Sequence, residues 1–550
     1  MSKIFQIPQF DFKGIKRITI PKLDSDFTES NGYGWDIIKK YLPSILSTHK
    51  KNAEKIEYLY NFKLGMQDIL RKKRKHDVDK KNNNIEIENH ASRQVNFKTG
   101  FLCGEQRDYT HKSDSDSDDL IYLMRYFSDS NFFSKDIDLK DWIYTTGIGV
   151  TKTTPRTDLI IQDGVDTTTQ KPRFRYKTEK EGYNIEFESP FKYNLKDPRN
   201  NFVVYSSGDD EEDLFCVSYV DVDVSTANDK EPIIRTQLLV ETRYAWFKFN
   251  SETDFSIYYW NKPEEVQIQP KDLHYLPLIE YAVDKDRIGL IEMNRSAFNT
   301  INLFRSSVND MVVDNANSLL VFKNVDIDNN TIKEMIEAGA VIIKDGQNGA
   351  TTAIAGLTTV TIEIPYDKMT TYVDQVVSNS YDIAGVPMAS GQVTSGGDTG
   401  QARLLGGGWN NAYIIIHKEI QKLLEYDYKQ LKLILQICKQ VPNCPLNELY
   451  ASQVDIHYRV NQNDNLQVKA QSMKYMYDMN MPLEFILKVG GLSNDIKTDS
   501  KNWQDNIDKA RAIQAEIEKA NQTSTEEITV EENNGNNSQE SLYGAREKPD

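Results

Sequence analysis

Hydrophobic positions change their period several times along the chain, and each change predicts a change of structure. Trp35, Ile38, Tyr41, Leu42 and Ile45, then Ile56, Tyr60, Leu64 and Ile69, recur at helical spacing and predict helix over residues 35–73. A further helix is predicted over Gln94–Cys103, and two more over Asp119–Phe127 and Ser134–Tyr144. From Gly147 to Tyr259 short alternating runs replace the helical period: Phe174–Tyr176, Asn184–Phe187, Asn201–Tyr205, Asp213–Val224, Thr236–Phe249 and Phe255–Trp260. Turn residues such as Ser206-Ser207-Gly208-Asp209 separate them, which predicts antiparallel sheet.

The helical period returns at Met293. Phe298, Ile301, Arg305, Val308 and Val312 share one face of a helix ending near Asn317. A strand-rich insert follows, with strands expected at Leu319–Phe322, Ala340–Ile343 and Thr359–Ile364 and a short helix at Thr331–Ala338. After Pro365 a second helix runs to Ile383. Helix, small αβ unit and helix together predict an insertion carried on two legs. A stretch rich in Gly, Ser and Thr precedes a long helical pattern, Ile416, Ile420, Leu424, Leu431, Leu435 and Cys438. Gly400–Cys438 would span ~58 Å as one helix. Gly406-Gly407-Gly408 should kink or break it. A strand at Gln453–Val460 and helices at Leu466–Met479, Pro482–Val489 and Asn502–Ala520 complete the pattern. Residues from Asn521 onward are rich in Asn, Glu and Ser, too poor in large apolar groups to offset the entropy of ordering, and are expected to be disordered. The class is α+β.

Composition narrows the function. The 550 residues allow about three or four domain-sized units. The net charge is −16 and the pI about 5.1, so a protein gripping DNA by neutralising phosphates is not expected. Acidity is compatible with DNA sliding through a hole, where weak adhesion is an advantage. No run reaches the ~18 apolar residues of a membrane span. Met1–Phe10 lack the basic-then-apolar pattern of a secretory signal. Cys103, Cys216, Cys438 and Cys444 are widely spaced and read as reduced thiols, with no zinc spacing.

Candidate chemistry is thin. Arg71-Lys72-Lys73-Arg74-Lys75 with Lys80 and Lys81 could be a nucleic-acid patch, but such a run is more simply a solvated loop after a helix. Asp114, Asp116, Asp118 and Asp119 resemble a calcium loop, yet Asp119 and Arg125 stand where its glycine and glutamate belong. Gly147-Ile148-Gly149 is half a dinucleotide fingerprint with Lys152 at the third glycine. His417 lies near the apolar side of the long helix and reads as a core or interface residue. Phosphate-cradling, nucleophile-elbow and zincin motifs are absent, so no catalytic residue, metal ligand or cofactor is assigned.

Several strings, in order, resemble the portal proteins of tailed phages with long non-contractile tails, typified by a Bacillus phage portal. Asp197-Pro198-Arg199-Asn200-Asn201-Phe202-Val203-Val204-Tyr205 is similar to that family's turn and F-V-V-Y strand, followed by a strand where Phe215–Tyr219 lie. Leu276-Pro277-Leu278-Ile279-Glu280-Tyr281 resembles its P-L-I-E-Y strand. Gly289–Asn317, with Ser306, Ser307, Asn309, Asp310 and Ala316, resembles the helix leading into the clip. Thr399-Gly400-Gln401-Ala402-Arg403 resembles the start of the long helix behind the tunnel loop, departing from it at Thr399, at Arg403 and in the glycine triplet.

The resemblance covers roughly residues 35–515. It implies a wing over residues 1–290, stem helices at 291–317 and 365–386, and a clip at 318–364. A tunnel loop at 387–399, a long helix and wing return strand at 400–465, crown helices at 466–520 and a disordered acidic tail at 521–550 complete the division. It also implies a ring of about twelve copies at one capsid vertex of a virion assembled in the bacterial cytoplasm. Its partners would be double-stranded DNA in the channel, the terminase large subunit, head-completion and tail-connector proteins, and the major capsid and scaffolding proteins, with no membrane. Ser390, Gln392, Thr394, Ser395, Asp398 and Thr399 would face the DNA. Val325, Asp326, Asp328, Lys333, Glu337 and Lys344 would form the clip interface. Another head or connector protein, or a metal-dependent nuclease with scattered carboxylates, is the alternative.

Overall fold

The computed structural model describes residues 12–21, 34–70, 84–112, 118–165, 172–177, 179–207, 211–223, 234–243, 245–251, 265–268, 275–316, 319–323, 356–360, 366–388, 409–460, 466–490 and 496–531. The chain divides into two compact units, Met1–His111 with Asp116–Asn461, and Lys112–Ser115 with Gln462–Asp550.

In the larger unit, helix α1 (Trp35–Lys63) serves two cores. Its Ile38, Leu42 and Ile45 lie on a six-stranded sheet, whereas Leu59 and Phe62, further along, enter a helical core. The sheet has the order β1-β7-β8-β9-β10-β11, made from β1 (Ile18–Ile20), β7 (Asn201–Ser206), β8 (Asp213–Asp223), β9 (Ile234–Glu241), β10 (Ala245–Ser251) and β11 (Glu265–Ile268). β1 runs parallel to β7, and the other pairs are antiparallel. Every residue of β7 is buried. Phe202 and Val204 face α1, while Val203 and Tyr205 pack with Val150 and Leu278. The latter two belong to a three-stranded sheet, β12-β3-β6, built from β12 (Leu278–Tyr281), β3 (Gly149–Pro155) and β6 (Phe191–Lys196). Hence Phe202–Tyr205 reads as a continuous apolar run, as strands covered on both faces do.

The helical core joins α2 (His90–Cys103), α3 (Asp119–Asp129), α4 (Phe132–Thr146), α5 (Leu290–Ala316), α6 (Tyr366–Ala384) and α7 (Trp409–Lys439). α7 buries Ala412, Ile416, Ile420, Leu423, Leu431, Ile434 and Cys438, a stripe at steps of three, four and eight. Two further ladders pair β15 (Val454–His457) with β2 (Asp108–His111), and β4 (Ile160–Val165) with β5 (Pro172–Tyr176).

Backbone crowding explains the glycine at Gly147. It closes α4 at φ +95°, its N–H bonded to the Ile143 carbonyl at 2.8 Å. A Cβ there would stand 2.1 Å from the Arg287 carbonyl oxygen. The glycines of Gly147-Ile148-Gly149 thus end a helix and begin a strand. A dinucleotide fingerprint needs the reverse order.

Several expectations are corrected. Asn184–Phe187 is a turn, with Phe187 exposed; the strand lies at Phe191–Lys196. Thr236–Phe249 is not one strand but the hairpin β9–β10, turned at Thr242, whose hydroxyl accepts from the Ala245 N–H at 3.0 Å. His417 is exposed, one position past the buried Ile416, which corrects the core alternative of its reading and leaves the interface one. The described part of the long helix begins at Trp409, so the glycine triplet lies outside the described residues, as do Arg71–Lys75, Lys80, Lys81, Asp114, Asp116 and Phe255–Trp260.

In the smaller unit, α8 (Leu466–Asp478), α9 (Leu483–Gly490) and α10 (Ile496–Glu531) pack around Met473, Ile486 and Leu487, with Trp503 against them. α10 continues to Glu531 instead of ending at Ala520. A helix satisfies its own backbone hydrogen bonds, so low apolar content does not by itself end it.

His49 of α1 is buried between Phe202, stacked at 3.9 Å, and the edge of Tyr219, with Nε2 3.0 Å from the Arg199 carbonyl oxygen. Burial lowers its pKa to about 4, outweighing the carbonyl, which favours the cation. The unfolded chain takes up a proton near pH 6.5 and the folded chain does not. Stability therefore falls as pH drops from about 6.5 toward 4. Between pH 7.5 and 5 this histidine alone removes about 2 kcal/mol. Urea unfolding at the two pH values should show that loss in the parent and a shallower one in His49→Phe. Equal losses would refute the assignment.

Candidate functional site

The insert is carried on α5 and α6. β13 (Leu319–Lys323) follows α5, β14 (Gly356–Val360) precedes α6, and the two strands pair antiparallel from Leu319↔Val360 to Lys323↔Gly356. The helices lock together below this ladder. Phe304 meets Tyr372 at 5.1 Å between ring centroids. Asn294 donates to the Ser380 carbonyl at 2.9 Å and to Gln94 Oε1 at 3.1 Å, while Gln94 donates to Ser380 Oγ at 3.2 Å. All three side chains are buried, and the bonds fix the depth at which α6 sits against α5 and α2.

A third strip of chain is fastened along α5. The backbone N–H groups of Asn84, Glu86 and Glu88 donate to Asp310 Oδ1, Ser306 Oγ and Asn302 Oδ1 at 2.9, 2.9 and 3.0 Å. Alternate residues of an extended chain are ~6.6 Å apart, and residues four apart on a helix ~6 Å, so the two periods run in step. Arg305 pairs with Glu88 at 2.7 Å and lies 4.0 Å from Asp374 of α6. At the other end, Asp68 accepts from Tyr58 at 2.6 Å and Asn299 at 2.8 Å, with Arg295 3.3 Å away.

A second strip of α5, from Met293 to Met311, carries no charge. Met293, Ser296, Thr300, Leu303, Ser307 and Met311 follow one another at steps of three and four; Met293, Leu303 and Met311 are exposed. Thr300 and Ser307 turn their hydroxyls back onto the carbonyls of Ser296 and Leu303, at 2.9 and 2.7 Å. Such a face can be covered by another surface with little desolvation of polar groups. Sequence reading missed both this strip and the fastened one. The available signals were Met293, Leu303 and Met311 with the uncharged Ser296, Thr300 and Ser307 at the helical steps between them, and Asn302, Ser306 and Asp310 at intervals of four.

Behind the legs lies a buried cluster of four charges. Arg107 meets Asp136 at 3.0 Å and Asp427 at 2.7 Å; Lys140 meets Asp136 at 3.2 Å; Tyr458 donates to Asp427 at 2.5 Å. Burial would raise the Asp427 carboxyl, but Arg107 and then Lys140 hold it below the usual carboxylate range. Lys98 of α2 pairs with Glu419 of α7 at 2.6 Å, and Tyr144 of α4 donates to the same carboxylate at 2.9 Å. These pairs spend their charges on one another and tie α2, α4 and α7 together.

The twelve residues assigned from sequence all fall outside the described residues. Ser390, Gln392, Thr394, Ser395, Asp398 and Thr399 lie in 389–408, between α6 and α7; Val325, Asp326, Asp328, Lys333, Glu337 and Lys344 lie in 324–355, beyond the β13–β14 ladder. Among the described residues no three His, Cys, Asp or Glu side chains are grouped to hold a metal ion, and no helix is long and apolar enough to cross a membrane.

No curated protein matches the chain. The family model described as phage portal protein, SPP1 Gp6-like, matches residues 39–523, which takes in every strand but β1, both legs, the insert and most of the helices that follow. The chain therefore belongs to the phage portal proteins, a family of structural virion components and not of enzymes.

Proposed function

We propose that the chain is one subunit of a closed ring of about twelve copies at a single capsid vertex, through whose channel DNA enters during packaging and leaves at ejection. α5 and α6 would be the stem, and the insert at 318–364 the clip on which the terminase large subunit and later the tail connector dock. The segment 387–399 would reach the channel, where its Gly, Ser and Thr residues touch phosphates without anchoring them and Asp398 adds repulsion. The sheets and N-terminal helices would form the wing toward the capsid shell and scaffold. The observation carrying this reading is the insert held on two packed helices, α5 with its uncharged strip Met293–Met311 and α6, inside a chain matched by the portal family over most of its length.

Negative-stain imaging and native mass measurement of the purified chain test it. Rings with a central hole are expected. Monomers that cut DNA in the presence of a divalent metal would refute it in favour of a nuclease.

A further inference from the structure

The end of α7 brings two thiols into contact. Cys438 lies in the last turn of the helix and Cys444 in the segment that follows, and both are buried. Between them the Val441 N–H bonds to the Cys438 carbonyl at 3.0 Å, and the chain turns at Asn443, in the left-handed region at φ 59°. The turn returns Cys444 to the helix end, where the Cys438 thiol donates a hydrogen bond to its sulfur. Two sulfurs already in contact can bond after small side-chain rotations. Pro442 and Asn443, which precede Cys444, are exposed, so its sulfur lies one turn below the surface.

The two sulfurs stand in unlike settings. Three groups converge on Cys444: the Cys438 thiol, the Leu446 N–H and the Tyr126 hydroxyl of α3, 3.7 Å away. Tyr126 also donates to the Ile185 carbonyl. While Cys444 keeps its proton, that hydroxyl serves the carbonyl and accepts from the thiol; once the proton leaves, it can turn to the sulfur. Led by the Cys438 thiol, these hydrogen bonds outweigh burial and lower Cys444 to about 7. Burial pushes Cys438 well up, so it stays protonated beside it. Tyr126 and Tyr183, the phenols facing the pair, are also raised by burial and remain protonated donors. Cys103, the least buried thiol, is pushed up to about 12 by burial and then by Asp136, and Cys216 is raised by burial too. A thiol that ionises readily, touching one that does not, has the form of an attacking and a resolving cysteine.

We propose that Cys438 and Cys444 form a redox-active dithiol, which a peroxide converts to a disulfide that staples the end of α7 to the turn beyond it. The Cys444 thiolate attacks one oxygen of hydrogen peroxide; the O–O bond breaks, and hydroxide leaves and takes up a proton to become water. Cys444 is then a sulfenic acid. The Cys438 sulfur attacks the Cys444 sulfur, the S–O bond breaks, and the departing hydroxyl takes the Cys438 proton as a second water. Two thiols have lost two electrons, and the peroxide has gained them. Thiol buffers of a bacterial cytoplasm keep such a pair reduced, and it closes where they are absent. The inference goes beyond the ring proposed above and does not depend on it.

Full-length chain, freed of reductant, is treated with hydrogen peroxide, quenched with catalase, unfolded and alkylated with N-ethylmaleimide. Two of the four cysteines should escape alkylation, and peptide mapping should find Cys438 joined to Cys444 in a species lighter by two hydrogens. The rate of bridging should level off above about pH 8, where Cys444 is already ionised, whereas an ordinary thiol keeps accelerating through about pH 9. Tyr126→Phe should move that levelling to higher pH. Cys438→Ser should stop at the Cys444 sulfenic acid, trapped with dimedone, and Cys438→Ala should do the same should serine disturb the fold by circular dichroism. Four thiols still alkylated after peroxide would overturn the proposal. Oxidation appearing first at Cys103 or Cys216 would overturn it too. A bridging rate that never levels off would remove Cys444 as the attacking thiol. All of these readings are made on the chain whether or not it forms rings, so they fail separately from the ring.

Discussion

Arg107→Met lowers the stability of the larger unit by about 3–5 kcal/mol, the cost typical of removing one partner from a buried ion pair. The arginine supplies one of two cations in a cluster otherwise made of Asp136, Asp427 and Lys140. All four side chains are buried at their charged ends, and the formal charges sum to zero. Without Arg107 the sum becomes −1, and Asp427 keeps only the Tyr458 hydroxyl and a more distant lysine. The side chains are at most 6% exposed, so bulk solvent does little to compensate the carboxylate. Urea unfolding followed by circular dichroism measures the effect. Arg107→Met combined with Asp427→Leu should recover much of the loss, because no unpaired charge remains buried. A single variant within 1 kcal/mol of the parent would show that the cluster is already hydrated.

Deleting Val325–Gln347 should abolish DNA packaging while rings and capsids still assemble. The cut falls beyond Lys323↔Gly356, the ladder pair nearest the insert, so β13 and β14 remain joined by a shorter loop. Closing a shorter loop costs less entropy, not more, and the two legs keep their spacing. What disappears is the surface proposed for the motor: Val325, Asp326, Asp328, Lys333, Glu337 and Lys344. Packaging in a reconstituted assay is expected at background, with ring mass reduced only by the deleted residues. Normal packaging would move the motor's docking site elsewhere on the chain. In the same assay Thr394→Lys should package slowly and improve with added salt, as phosphate contacts weaken.

Local periodicity made much of this fold readable and long-range pairing made little of it readable. α5, α6 and α7 are legible because Phe298 and Ile301, Val373 and Val377, and Ile416 and Ile420 repeat at helical steps over several turns. The β9–β10 hairpin was not, because its turn uses Thr242 and Ala245 where a glycine or asparagine pair would have signalled it. β1 was missed because three residues carry no period of their own; Ile18–Ile20 become a strand only by pairing with β7. The charge cluster escapes for the same reason, since Arg107, Asp136 and Asp427 are unremarkable until the fold removes their water. The site was legible as an order of parts, helix–insert–helix, while the face by which α5 meets its surroundings depends on which side the fold leaves uncovered.

The fastening of residues 84–88 to α5 has a mechanical consequence. Asn302, Ser306 and Asp310 lie along one edge of the helix, each holding a backbone N–H. Rotating the helix about its axis by one residue, about 100°, would pull all three from their partners together. α5 thus resists torsion like a keyed shaft, with the strip as the key. A twisting load on the insert cannot be dissipated by the helix turning in place; it passes through the strip as torque into α2, which begins two residues beyond it at His90.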